Sequence, residues 1–151
     1  RFLDSRAIPY SIFTHSRVPT SLDEAARERN QKSTQVIRSI LFRVKPGQFV
    51  MVLVAGLDQV SWKTVRAHLG VSRLSMATEN EVREITGCER GAVNPFGLPP
   101  STRLLVDQSV FMHEEISIGC GVPGSAVIIK TADLRKVLAS GEIGSFSEKT
   151  G

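Results

Sequence analysis

The chain is poor in the residues that usually build metal centres and disulfide scaffolds. It has two cysteines and three histidines in 151 residues. Cys88 and Cys120 lie far apart with no CxxC pair and no Cys/His cluster, so neither a disulfide framework nor a zinc site is suggested, and a reducing cytoplasm fits. His15, His68 and His113 carry no HxxxH or HExxH spacing, so no metal site is expected. No apolar run approaches the ~18 residues that a membrane helix needs. The opening Arg1-Phe2-Leu3-Asp4-Ser5-Arg6 has no apolar h-region, so no secretory signal is visible, and it lacks Met, which leaves room for preceding residues. No serine sits in GxSxG, neither cysteine has the local context of a nucleophile, and there is no repeat or low-complexity segment.

What remains is ordinary soluble composition. Apolar residues make up 41% and charged residues 23%, with a mean hydropathy of -0.02. At this length one domain with a genuine core is expected. Nineteen Lys and Arg against 15 Asp and Glu give a formal charge of +4, which mildly favours an anionic partner without naming one.

Along the chain, Phe2-Leu3 reads as the end of a short helix and Ile8 to Phe13 as a strand ending near His15. Ser21-Leu22-Asp23-Glu24 matches a capping box and starts a helix to about Asn30, on which Arg27 and Arg29 read as exposed. Val36 to Val44 and Phe49 to Ala55 flank a Lys45-Pro46-Gly47-Gln48 turn and predict a hairpin. The unbroken apolar second run implies a strand buried on both faces. Ser61 to Leu69 places Trp62, Val65 and Leu69 on one helical face ended by Gly70, Arg73 to Met76 suggests a short strand, and Thr78-x-x-Glu81 starts a helix to about Thr86. Strands are expected again at 104–106, 116–118 and 126–129, a closing helix carries Leu134, Val137 and Leu138, and the tail 141–151 reads as loose. The fold class is α+β: a curved mixed or antiparallel sheet forming a partly open barrel, flanked by short helices.

Two features stand out chemically. If the strand keeps its phase, Arg38 shares a face with Val36, Ile40, Phe42 and Val44, so a guanidinium points where apolar side chains point. It either lines a cleft as a cation for phosphate or a developing oxyanion, or snorkels to the rim. The second is the stretch from Gly87 to Pro100, whose Gly and Pro content sustains no regular element. Its amides can form an anion-binding nest, or the loop can be a structural connection. His68 reads as structural, Asp107 as a strand-end carboxylate hydrogen-bonding nearby backbone, and Trp62 and Phe42 as core residues with base stacking the alternative.

The run Thr86-Gly87-Cys88-Glu89-Arg90-Gly91-Ala92-Val93-Asn94-Pro95-Phe96-Gly97, with Leu105-Val106-Asp107, Ile118-Gly119-Cys120-Gly121 and Ala132-Asp133-Leu134, resembles the YbaK/EbsC family, related to the editing domain of prolyl-tRNA synthetase. The resemblance extends from about His15 to Leu138, and Gly91-x-x-x-Pro95 matches the family's GxxxP loop. It implies one editing domain over 1–140 that hydrolyses the ester of mischarged tRNA without metal or other cofactor, in the cytoplasm. Water attacks with help from the substrate's terminal ribose hydroxyl. The expected substrate is tRNA-Pro carrying a small amino acid such as Ala or Cys. The implied partners are the tRNA acceptor end and prolyl-tRNA synthetase, with no membrane and no DNA. Arg38 and Gly91 are the expected catalytic positions, and Ala92, Val93, Asn94, Pro95, Phe96, Gly97, Gly119, Cys120 and Gly121 the expected substrate-binding ones. Arg38-Ser39-Ile40 stands where the family has Lys-Thr-Leu. Arg serves if a fixed positive charge is needed and fails if a neutral amine must act as base. The alternative is therefore a catalytically silent module that binds tRNA or a partner.

Overall fold

The computed structural model describes residues 2–148. Elements follow in the order α1 (Phe2–Ser5), β1 (Ser11–Thr14), α2 (Leu22–Glu28), β2 (Ile37–Lys45), β3 (Gln48–Ala55), β4 (Gln59–Val60), α3 (Trp62–Leu69), β5 (Ser75–Met76), α4 (Glu79–Thr86), β6 (Arg103–Asp107), β7 (Glu115–Gly119), β8 (Ser125–Lys130), α5 (Thr131–Val137), β9 (Glu142–Gly144) and β10 (Ser147–Glu148). The helix signals of the sequence act where they stand. Ser21 and Ser61 cap α2 and α3, Thr78 and Glu81 close a full capping box on α4, and Gly70 ends α3 in the left-handed region at φ 70°. At α2 the box is half made: Glu24 reaches Thr20 Oγ1 and not the Ser21 amide.

A five-stranded mixed sheet runs β5-β2-β3-β6-β9, with β3–β6 and β6–β9 parallel and the others antiparallel. An antiparallel sheet β1-β8-β7 lies against it, and a Val36–Ser117 bridge joins the two. The barrel so formed is not closed. β3 is its centre: Phe49 to Ala55 are all buried, because alternate residues feed two cores. Met51 and Leu53 face the core between the sheets with Ile37, Leu41, Ile116, Ile118 and Leu134. Val50, Val52 and Val54 face a second core with Phe42, Val65, Leu105 and Phe146. Phe42 is a core residue, with Trp62 edge-on to it at 5.0 Å between ring centres.

The expectation of a loose tail from Gly141 is corrected through Glu148. Glu142–Gly144 pairs with β6 and Ser147–Glu148 with β4. Three anchors hold this segment. Buried Asp107 accepts from the Phe146 amide (2.7 Å) and the Ser147 hydroxyl (3.0 Å), besides the Ser109 amide (3.1 Å) expected of a strand-end carboxylate. Glu142 pairs with Arg103 and His68, and Phe146 plugs the second core at 2% exposure, with His68 edge-on to its ring. Polar and Gly-rich spelling concealed a segment fixed by long-range contacts. Positions 149–151 and Arg1 lie outside the described residues.

Candidate active site

The Gly/Pro loop is shaped by its own polar atoms. α4 stops at Gly87, φ 72°, and the chain then folds so that the Ala92 amide donates to the Glu89 carbonyl at 3.0 Å. Asn94 is the loop's keystone and is buried. Its side-chain amide donates to the Gly119 carbonyl (3.0 Å) and its oxygen accepts the Phe96 amide (3.0 Å). Two backbone bonds, Gly121 N–H to Ala92 O at 2.8 Å and Glu89 N–H to Gly121 O at 2.9 Å, fasten the loop to the end of β7. Gly119 permits this docking, since a Cβ there would fall 2.4 Å from the Ala92 carbonyl carbon. Gly91 stands exposed at φ 82°. The N–H groups of Gly91 and Val93 meet no protein acceptor among the described residues.

One side of this loop forms the wall of a cavity of about 430 Å³, a size suited to a small-molecule moiety. Gly91, Val93 and Gly119 line it together with Arg38, so four of the expected positions meet there. Asn94, Phe96, Cys120 and Gly121 instead line a second cavity of about 380 Å³, which the α1 residues Phe2 and Leu3 share. Ala92 and Pro95 are buried within the loop, and Gly97 is exposed. The GxxxP loop is thus a partition, with polar binding potential on one side and Phe2 against Phe96, ring centres 6.1 Å apart, on the other.

Arg38 keeps the phase read from sequence, on the face of β2 whose Ile40, Phe42 and Val44 enter the second core. It lines the larger cavity, half-buried, and its guanidinium is anchored: Nε donates to the Gly56 carbonyl at 2.8 Å and Nη2 to the Asp58 carbonyl. Burial presses its pKa down, and the nearby Asp58 carboxylate opposes that shift. Ser39, next along β2, also lines the cavity, and its buried hydroxyl has no hydrogen-bond partner among the described residues.

A cation that the sequence reading placed in solvent also lines this cavity. Arg29 is half-buried, and only Arg27 of the pair is exposed. Leu22, Ala25, Ala26 and Arg29 follow i, i+3, i+4, i+7 spacing, the signal that would have placed Arg29 on the inward face of α2. Its Nε donates to His15 Nε2 at 3.1 Å and its Nη1 to Ser117 Oγ at 2.9 Å. His15, with a fully buried side chain, meets Glu28 Oε1 through Nδ1 at 2.7 Å. Arg29 has only N–H donors, so His15 Nε2 must accept and its proton sits on Nδ1, toward Glu28. Burial lowers the Arg29 pKa, with Cys120 and Glu28 opposing. The larger cavity is lined by three arginines, 29, 38 and 90, and by no carboxylate, histidine or cysteine among the described residues.

Comparison with known proteins adds to this geometry. The profile of the aminoacyl-tRNA editing domain matches residues 15–137. The chain is 31% identical over 149 residues to the multifunctional Ser/Thr-tRNA deacylase ProXp-y of Escherichia coli, covering 95% of this chain and 87% of that protein. It is 30% identical over 132 residues to a proline--tRNA ligase of Streptococcus pneumoniae, covering 82% of this chain but 21% of the ligase. Among solved structures, a candidate trans-editing enzyme for prolyl tRNA synthetase superposes with a TM-score of 0.84 at 22% identity over 97% of this chain and 92% of that one, which shows a common fold. The docked GxxxP loop, the cavity that it walls and the match from His15 to Val137 make this chain a member of the aminoacyl-tRNA editing domain family.

Proposed function

We propose that the protein is an aminoacyl-tRNA deacylase, hydrolysing the ester between a small amino acid and a mischarged tRNA in the larger cavity. The observation that carries this reading is the pair of unspent amides, Gly91 and Val93, on the wall of a cavity whose charged lining is wholly cationic. Water adds to the ester carbonyl, and these N–H groups receive the negative charge that develops on its oxygen. The carbonyl re-forms as the bond to the ribose oxygen breaks, giving the free amino acid and the tRNA hydroxyl. As the family resemblance implies, the proton is moved by the substrate's own neighbouring ribose hydroxyl, and the described lining holds no histidine, cysteine or carboxylate that would compete for that role. Arg38, fixed by two carbonyls, contributes a positive charge at the edge and no proton transfer.

Selection is by exclusion, as a second sieve requires: the part of the cavity that meets the amino-acid side chain admits small ones and rejects larger correct ones. The substrate named by the sequence reading, tRNA-Pro bearing Ala or Cys, is joined by Ser- and Thr-charged tRNA on the strength of the relative's name. The direct test is to incubate the protein with Ala-, Cys- and Ser-tRNA-Pro and with mischarged Ser- and Thr-tRNA, and to follow loss of the ester. Absence of hydrolysis above the no-enzyme rate with every substrate overturns the reading. The anchoring of Arg38 on backbone carbonyls favours a second reading, a module that binds aminoacyl-tRNA without hydrolysing it. Retention of charged tRNA with its ester intact is the result that supports it.

A further inference from the structure

Arg29 differs from the other arginines that the fold has fixed. Arg43, Arg90 and Arg103 each pair with a carboxylate, and Arg38, also half-buried and without an ion pair among the described residues, holds the main-chain carbonyls of Gly56 and Asp58 through Nε and Nη2. Arg29 is half-buried and forms no ion pair among the described residues. The nearest carboxylate in sequence, Glu28, accepts from His15 instead. Glu28 acts on Arg29 without touching it, so the half-buried cation has no carboxylate in contact among the described residues, and a bound anion would supply that contact.

The two acceptors of Arg29 are themselves committed. Ser117 Oγ donates its proton to Gln31 Oε1 at 2.7 Å, so toward Arg29 it can only accept. His15 Nε2 accepts because its proton is held at Nδ1 by Glu28. The guanidinium plane is thereby set before any ligand arrives, while Nη2 has no protein acceptor among the described residues and the side chain lines the larger cavity. A planar fork with free donors suits a tetrahedral oxyanion.

We propose that Arg29 is the phosphate-binding group of this cavity and that it receives the 5′ phosphate of the terminal nucleotide of the aminoacyl-tRNA. The identity of the nucleotide rests on the deacylase reading; the anion site itself does not. An esterified amino acid bears an ammonium group and no carboxylate, so the substrate's only anions are its phosphates. Seating one on Arg29 places the ester in the same cavity as Gly91 and Val93.

The test uses the unmodified protein first. Amide and Arg side-chain NMR titrations with adenosine 5′-monophosphate and with adenosine should give about tenfold tighter binding for the phosphorylated ligand, with the Arg29 Nε–H signal moving. Arg29→Gln should collapse this ratio to about one and Arg29→Lys should keep part of it. Equal affinities in the unmodified protein, or an undiminished ratio in Arg29→Gln, overturn the proposal. Hydrolysis of 3′-aminoacyl-adenosine with and without the 5′ phosphate separates the two ideas. Phosphate preference in binding with neither ester cleaved removes the deacylase reading and leaves the anion site. Cleavage of both esters at one rate, with no phosphate preference, removes the anion site and leaves the deacylase.

Discussion

Gly119 and Ala92 meet backbone to backbone: a Cβ at position 119 would lie 2.4 Å from the Ala92 carbonyl carbon and 2.5 Å from its oxygen. Neither group is the tip of a flexible side chain, so the loop itself must move to admit a methyl. Gly119→Ala should destabilise the fold by about 2–3 kcal/mol, read from urea denaturation, and should abolish deacylation by displacing the loop. Gly121→Ala is the comparison, since a Cβ there meets nothing nearer than Cys88 Sγ at 3.9 Å. Its cost is the strain at φ 105°, about 1 kcal/mol.

Gly91 separates stability from activity. Its φ of 82° disfavours a side chain, but the surrounding space is open, so Gly91→Ala should cost only about 1 kcal/mol of stability. Deacylation should fall about 100-fold, because an amide at the reacting carbonyl is redirected. A parallel loss in both measurements would reduce the residue to a turn former.

Arg38→Ala leaves the Gly56 and Asp58 carbonyls without their side-chain donor, and about 1–3 kcal/mol of stability should be lost. Ester hydrolysis should also fall steeply. Arg38→Lys retains the charge but cannot fork to both carbonyls, so hydrolysis should persist with a smaller stability loss. A large rise in hydrolysis from near zero in Arg38→Lys would instead support the silent module.

His15→Leu tests the support beneath Arg29. It removes the acceptor of Arg29 Nε and the partner of Glu28, and stability should drop by about 1–3 kcal/mol. In steady-state kinetics KM should rise more than kcat falls. The dependence of log(kcat/KM) on log salt should lose about one unit of slope, as expected when one phosphate contact is lost. A change confined to stability would make His15 a packing residue.

Acid should loosen the C-terminal strands. The hydrogen bonds from Arg103, then those from His68, hold the Glu142 carboxyl at about 2 against an ordinary 4.5. At Asp107 burial opposes the charge, but the bonds from Ser109, Phe146 and Ser147 outweigh it, so this pKa too is lowered. A carboxyl lowered by folding stabilises the protein above its unfolded pKa, and the gain is lost as pH falls through the folded value. Unfolding free energy should therefore decline from about pH 4.5 toward 2. Glu142 is 37% exposed, so screening limits its share to about 0.5–1 kcal/mol. Glu142→Gln should flatten that part of the pH profile, and high salt should do the same.

The sequence disclosed what local chemistry decides. Apolar β3, the capping box of Thr78 and Glu81, the Gly70 stop and the irregular loop are each written within a few neighbouring residues, and each stands where it was read. The phase of β2 placed Arg38 in line with Ile40 and Phe42, although its carbonyl partners at Gly56 and Asp58 could not be read from the strand. Long-range partnership was illegible. Arg29 is defined by His15 and by Ser117, 88 positions away, and the C-terminal strands by Asp107 and Arg103, about 40 positions away. The GxxxP residues read as one binding set because sequence adjacency cannot say that Gly91 and Val93 line one cavity while Asn94 and Phe96 line another.

The editing-domain profile ends at Val137, but the packed fold does not, because Phe146 completes the second core and the Ser61 amide donates to its carbonyl at 2.7 Å. A graft of this editing module onto another protein that followed the profile match alone would leave Asp107 with only the Ser109 amide, at the edge of an open core. The portable piece is the one that carries its own last strand.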